Sequence, residues 1–129
     1  MFKTTITPRF CDTDALGHVS NVVLLEWFEQ ARNPIFEIFT PDLDPKKWRL
    51  ILAKNEVDYL QQIHFGTDIE IKTYFSKLGN SSMIIEHELY QNNIKAAHCK
   101  LVMIHFNYQT QKSERIPDNE RAELSKHLV

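Results

Sequence analysis

"NVVLLEWFEQARNPIFEIF", residues 21–39, decides the fold. On a helical wheel at about 100° per residue, Glu26, Glu29, Gln30, Asn33 and Glu37 gather on one narrow stripe. Leu24, Leu25, Trp27, Phe28, Ala31, Ile35, Phe36, Ile38 and Phe39 take most of the remaining circumference, and Arg32 is the one charge near that arc. An ordinary surface helix buries a single stripe, so a helix this apolar must be enclosed on several sides. Pro34 either kinks it or starts a new turn with Asn33 as the cap.

The segments on either side supply the enclosure. Residues 2–10, rich in Thr, Ile and Phe, read as a first strand. Pro41 and Pro45 make residues 40–47 a loop, after which the period changes to two. Ile51, Ala53, Val57 and Tyr59 alternate with Lys54, Glu56 and Asp58; Ile69, Ile71, Thr73 and Phe75 with Glu70, Lys72 and Tyr74; Met83, Ile85, His87 and Leu89 with Glu86 and Glu88. Residues 96–108 form a fourth long run, with Val102, Ile104 and Phe106 on one face. Gly66, Gly79-Asn80 and Asn92-Asn93 supply turns, and Pro117 opens a short closing helix through residue 128. The pattern predicts an α+β fold in which a curved antiparallel sheet of five strands wraps one long central helix. Strands this long also predict that a sheet edge or face is shared with a second chain.

Composition bounds the function. The 129 residues are 43% hydrophobic and 25% charged, which suits one soluble domain over residues 1–129. A net charge of −2 with scattered basic residues argues against nucleic acid and anionic membranes as partners. No secretory segment precedes Lys3 and no apolar run is long enough to span a membrane, so a cytoplasmic location is expected. Cys11 and Cys99 have neither metal-ligand spacing nor a disulfide framework around them.

The chemistry concentrates just before the helix, in "RFCDTDALGHVSN", residues 9–21. Ser20 or Asn21 can cap the helix, whose free N–H groups and macrodipole favour negative charge. Such a helix end suits the oxyanion that develops during acyl transfer. Asp14 can approach the N–H groups of residues 18–21 if Gly17 lets the loop fold back, and there it can deprotonate a water or attack directly. The same residues also fit a plain cap and turn. A metal site from Asp12, Asp14 and His18 lacks a second ligand cluster, and nothing local activates Cys11 as a nucleophile. His87, on an apolar strand face, reads as a hydrogen-bonded core or interface histidine, and Glu29 and Arg32 as a pair or an exposed edge.

The stretch "DTDALGHVSNVVLLEWFEQAR" resembles the signature of the hotdog-fold acyl-CoA thioesterases of the 4-hydroxybenzoyl-CoA thioesterase type, through Asp12, Asp14, Gly17, His18, Val19, Asn21, Phe28, Glu29, Ala31 and Arg32. "EVDYLQQIHFGTDIEI", "KLGNSS" and "RIPDNERAEL" extend the resemblance over nearly the whole chain. Gln61-Gln62 and Val23 depart from it, standing where such enzymes have a proline and a tyrosine. The resemblance implies a catalytic carboxylate at Asp14 and a supporting one at Asp12. It also implies an oxyanion and substrate-binding segment at Gly17, His18 and Asn21, with coenzyme A phosphate contacts at Lys77, Ser81 and Ser82. His18 reads equally as part of that site or as a loop residue that orders the turn.

The expected function is hydrolysis of an acyl-CoA, or of an acyl carrier protein thioester, to free acid and thiol. No metal or other cofactor is expected beyond the coenzyme A of the substrate. The resemblance implies a homodimer or homotetramer with the site at the interface. Two rival readings remain: a hotdog hydratase or dehydratase of enoyl or hydroxyacyl thioesters, and a non-catalytic thioester-binding subunit.

Overall fold

The computed structural model describes residues 1–129. The period-two segments become β2 (Leu50–Tyr59), β3 (Ile69–Leu78), β4 (Ser82–Gln91) and β5 (Ile94–Asn107), joined by β1 (Phe2–Ile6) in an antiparallel sheet ordered β1-β3-β4-β5-β2. The expected five strands are present, and a two-residue β6 (Lys112–Ser113) adds a short hairpin on β5. β1 stops earlier than expected because Pro8 has no N–H for a ladder, and the chain turns into a single 3-10 turn at Phe10–Asp12.

Side-chain alternation places the core. Ile69, Ile71, Thr73 and Phe75 of β3 and Met83, Ile85, His87 and Leu89 of β4 point inward and are buried. On β5 the buried face is Ala97, Cys99, Leu101, Met103 and His105, whereas Val102 is half-buried on the other side. Both faces of that strand are apolar, so pairing decides which one turns inward. The register Met83↔Met103, Ile85↔Leu101 and His87↔Cys99 turns the second set toward the core. Asn92 (φ 54°) and Asn93 (φ 62°) form the left-handed two-residue turn between β4 and β5, a geometry Asn tolerates.

The central helix is two helices. α1 (Asn21–Ala31) ends and α2 (Asn33–Phe39) begins at Arg32 (φ −86°, ψ −5°), which caps both. Pro34 cannot donate into the α1 ladder, but it fits the first turn of α2, where the N–H would be unpaired anyway. The cap therefore falls on the backbone of Arg32, one residue before Asn33. Leu24, Trp27, Phe28, Ala31, Ile35, Phe36 and Phe39 pack on the sheet, and 24 buried hydrophobic residues form one cluster. α3 (Asp118–Ser125) closes one end, its Arg121 donating to Gly79 O and Asn80 O at the β3–β4 turn.

One side stays open. β2 is a sheet edge on which only Leu50 is buried. Val22 and Leu25 on α1, with Ile51 and Leu52 on β2, remain exposed. No helix is long and apolar enough to cross a membrane.

Candidate active site

The loop between β1 and α1 is built on its two aspartates, which do different things. Asp12 is buried, and its carboxylate is gripped by Arg9: Oδ2 accepts the backbone N–H at 2.8 Å and Oδ1 accepts from a guanidinium nitrogen at 2.9 Å. Hydrogen bonding from Arg9 lowers its pKa. The Asp12 carbonyl also takes the Ser20 N–H at 2.9 Å, closing the loop onto the start of α1. Both Asp12 carboxylate oxygens are thus held by Arg9, and Asp12 is not among the residues lining the cavity that Asp14 and His18 share.

Asp14 is exposed. Its Oδ1 accepts the N–H groups of Leu16 (2.8 Å) and His18 (3.3 Å), and its backbone N–H donates to His18 O at 2.8 Å. This tight loop needs Gly17 at φ +77°, where a side chain would strain the backbone. The turn reading of this stretch is therefore correct for Oδ1. No hydrogen bond occupies Oδ2, which leaves one carboxylate oxygen available for chemistry.

The helix end is narrower than the spacing suggested. The N–H of His18 goes to Asp14, that of Val19 to Ile63 O at 2.7 Å, and that of Ser20 to Asp12 O. Three of the four expected oxyanion donors are consumed. Ser20 is the N-cap, but its side chain makes no capping bond. Free donors therefore begin at the N–H of Asn21, the positive end of the macrodipole.

Asp14, His18 and Asn21 line one cavity of about 390 Å³, together with Leu24, Tyr59, Gln61, Gln62 and Ile63. Gly17 shapes the loop beside it. Opposite the loop, Gln91 at the end of β4 fixes residues 64–67: its Nε2 donates to His64 O and Thr67 O, both at 2.9 Å, and its Oε1 accepts the His64 N–H at 3.0 Å. His64 in turn packs edge-on against His18 with ring centroids 5.1 Å apart. Sequence alone presents Tyr59 only as a strand residue and Gln61 and Gln62 only as departures from a family pattern. No periodicity marks them as cavity walls.

Lys77, Ser81 and Ser82 are not brought to this cavity. They flank the β3–β4 turn, at the start of β4, while the Asp14 loop sits by Gln91 at its end. Ten residues of strand separate the two, roughly 30 Å at 3.3 Å per residue. The Ser81 carbonyl accepts the His105 N–H and Lys77 is exposed. Within one chain these residues and Asp14 cannot meet the same thioester.

One further reading changes and one holds. Arg32 is neither exposed nor paired with Glu29: it is buried and its Nη1 lies 3.2 Å from His87 Nε2. His87 is fully buried, stacked on Phe28 at 5.2 Å and hydrogen-bonded through Nδ1 to Thr73 Oγ1 at 2.8 Å, as a core histidine should be. Trp27 and Phe28 are core residues. Cys11 is exposed and Cys99 buried, and both are free thiols.

A family model for the thioesterase-like superfamily matches residues 8–124. The chain belongs to the thioesterase-like superfamily. A protein from Bacillus stearothermophilus described as a predicted thioesterase is 41% identical, with a TM-score of 0.96 over 99% of this chain and 96% of that one. A thioesterase from Thermus thermophilus, solved with coenzyme A and Zn, is 30% identical with a TM-score of 0.84 over 95% of each chain. The uncharacterized protein YsmA of Bacillus subtilis is 25% identical over 126 residues, covering 95% of this chain and 84% of that protein. The expected hotdog-fold thioesterase family is borne out at this level, and membership supports thioester hydrolysis in general.

Proposed function

We propose that this superfamily member hydrolyses acyl-CoA thioesters, with Asp14 as the general base and the N-terminus of α1 as the oxyanion donor. The observation that carries the reading is the division of labour within the Asp14 carboxylate. Oδ1 is held by two backbone N–H groups, Oδ2 accepts no hydrogen bond, and Asp14 lines the same cavity as Asn21 at the start of α1. In the proposed step Oδ2 takes a proton from water as the water oxygen bonds to the thioester carbonyl carbon. The Asn21 N–H stabilises the oxyanion of the tetrahedral intermediate. Collapse breaks the C–S bond, and the proton returns from Asp14 to the departing thiolate sulfur. The step as drawn needs water and no further cofactor.

Exposed apolar residues along the whole α1–β2 side, from the start of α1 to the start of β2, support a second copy as the missing wall. Val22, Leu25, Ile51 and Leu52, with the unpaired β2 edge, form a self-complementary surface of the kind a two-fold dimer buries. A partner docked there brings its own β3–β4 turn into play, and in the assembly Lys77, Ser81 and Ser82 serve a neighbour's coenzyme phosphates.

A thiol-release screen over aromatic and aliphatic acyl-CoAs tests the activity. Stoichiometric thiol and free acid are expected. Loss or gain of enoyl absorbance with no thiol released assigns the chain to the hydratases instead, and binding without turnover makes it a non-catalytic subunit. Light scattering at micromolar concentration is expected to give a dimer or tetramer, and an active monomer would refute the shared site.

A further inference from the structure

Arg32 is 4% exposed, which makes it one of the few buried charges of the molecule. No carboxylate compensates it. Its Nη1 contacts His87 Nε2, and its Nε is buried with no partner at all. A guanidinium can only donate, so His87 Nε2 must accept and Nδ1–H must donate to Thr73 Oγ1. His87 is therefore the neutral tautomer, and burial followed by the Arg32 charge holds its pKa well below the ordinary histidine value. The neighbouring Cys99 thiol, pushed up to about 11 by burial, is neutral as well. Glu29, one turn earlier on α1, stays at the exposed rim without pairing. A buried charge with no compensating carboxylate is costly, and such a group calls for an explanation, of which a bound ligand is one.

Arg32 also lines a cavity. About 650 Å³ in volume, it has Phe36, Trp48, Leu50, Leu52 and Met103 among its walls, a size and apolarity suited to a small-molecule chain. This cavity lies between the end of α1 and the start of β2, whereas the Asp14 cavity lies between the start of α1 and the end of β2. The two cavities flank opposite ends of α1. Asn21 and Arg32 are 11 residues apart, about 16 Å along a helix at 1.5 Å per residue.

We propose that the Arg32 cavity is the far end of the acyl subsite and selects acyl groups that terminate in a carboxylate. This rests on the thioesterase reading above. The substrate class is a medium-chain dicarboxylic acid esterified through one end to coenzyme A. Its methylenes lie along the apolar walls, and its free carboxylate accepts from Nη2, the guanidinium nitrogen that neither contacts His87 nor is buried, a charge-assisted geometry.

Matched substrates test this by thiol release: octanoyl-CoA, 8-hydroxyoctanoyl-CoA and the mono-CoA thioester of suberic acid. The wild-type kcat/KM is expected to favour the suberoyl substrate by at least about tenfold, the worth of one charge-assisted hydrogen bond. In Arg32→Met that ratio collapses through KM, and Arg32→Lys restores part of it. Equal use of the octanoyl and suberoyl substrates, equal use of the hydroxy and carboxy substrates, or an Arg32→Met ratio like wild type overturns the proposal. If wild type cleaves no acyl-CoA, the thioesterase reading fails first. Calorimetric binding of free suberate to the wild-type protein then decides the subsite alone: binding that Arg32→Met abolishes supports it, and no binding overturns it. The wild-type ranking and suberate binding need no variant, so a misfolded Arg32→Met leaves the proposal testable.

Discussion

The two halves of the molecule are finished to different degrees. Between β3, β4 and β5 the inner face is closed: Ile71, Phe75, Met83, Ile85, Leu89 and Leu101 have no exposed surface, and the gaps are filled by α1, α2 and α3. Between α1 and β2 the same kinds of side chain, Val22, Leu25, Ile51 and Leu52, face solvent, and the Asp14 and Arg32 cavities lie there. The difference teaches a separation of duties. The closed half holds the fold together, and the open half carries Asp14, proposed above as the base, the free N–H at the start of α1 and Arg32, which has no carboxylate partner. If that division is right, substitutions in one half must move stability and in the other must move rate or assembly.

Asp14→Asn is the sharpest test and the largest expected effect. Asn keeps the Oδ1 acceptor that holds Leu16 and His18, so the loop and the melting temperature should stay close to wild type. The charge on the second oxygen is lost, and removing a general base costs on the order of 10²- to 10⁴-fold in kcat. Asp12→Asn should behave oppositely, weakening the Arg9 contacts and lowering stability with a milder effect on rate. Steady-state kinetics beside thermal melts of both variants check the pair. Normal turnover by Asp14→Asn would return Asp14 to a purely structural role.

Next in size is a comparison across the divide. Leu89→Ala in the closed half should cost about 2–5 kcal/mol by leaving a cavity, measured by denaturant unfolding, with the loss independent of assembly. Ile51→Lys on the open edge strand should cost the isolated chain only about half a kcal/mol, yet dissociate the oligomer and make activity depend on protein concentration. Ile51→Lys that stays assembled and fully active would remove β2 from the interface.

His87 extends the comparison to pH. Its folded pKa lies well below the ordinary value because of burial first and the Arg32 charge second. Above about pH 6.5, the unperturbed histidine pKa, both folded and unfolded chains hold it neutral and its contribution is flat. As pH falls below that value the unfolded chain binds a proton that the native chain refuses, so stability declines by up to about 1.4 kcal/mol per pH unit. His127, also lowered by burial, adds a slope of the same sign. Carboxylates with lowered pKa, among them Asp12 and Glu86, add theirs only at more acid pH. Denaturant unfolding between pH 7 and 5 should therefore show a decline that His87→Gln makes shallower; an unchanged slope would mean that His87 is charged in the core.

The fold was legible because its signals are local and redundant. Period-two alternation in β3 and β4 matches the buried face residue for residue, and Asn92-Asn93 marked the hairpin through the rare backbone geometry it tolerates. β5 was ambiguous because both of its faces are apolar, and only pairing with β4 chooses between them. In the site, Asp14, His18 and Asn21 were within reach because one short loop carries them all. The consumption of the His18, Val19 and Ser20 N–H groups was not, since their acceptors at Asp14, Ile63 and Asp12 depend on how distant segments dock. Arg32 was visible as the lone charge on an apolar arc, but its burial against His87, 55 positions away, is a tertiary fact.

The smallest expected effect probes the far end of the closed half. Lys77 is exposed beside the β3–β4 turn, which α3 pins through Arg121. The length of β4 keeps it from the Asp14 cavity of its own chain. A role in catalysis therefore requires a neighbouring chain's site, and a role limited to phosphate attraction changes binding alone. Lys77→Ala should raise KM for acyl-CoA a few-fold and flatten its dependence on salt, because a point charge near the surface acts over a Debye length of about 10 Å at 0.1 M ionic strength. With the reacting groups untouched, kcat should stay near wild type. The pattern should vanish with a substrate truncated to the pantetheine thioester, which has no nucleotide phosphates. If KM for acyl-CoA does not move, the phosphate contact belongs to another basic group, such as Lys100, Arg115 or the Lys46-Lys47 loop, and the closed half has no part in substrate binding. A drop in kcat without a change in KM would place Lys77 near the reacting atoms, which the single-chain geometry allows only through a partner.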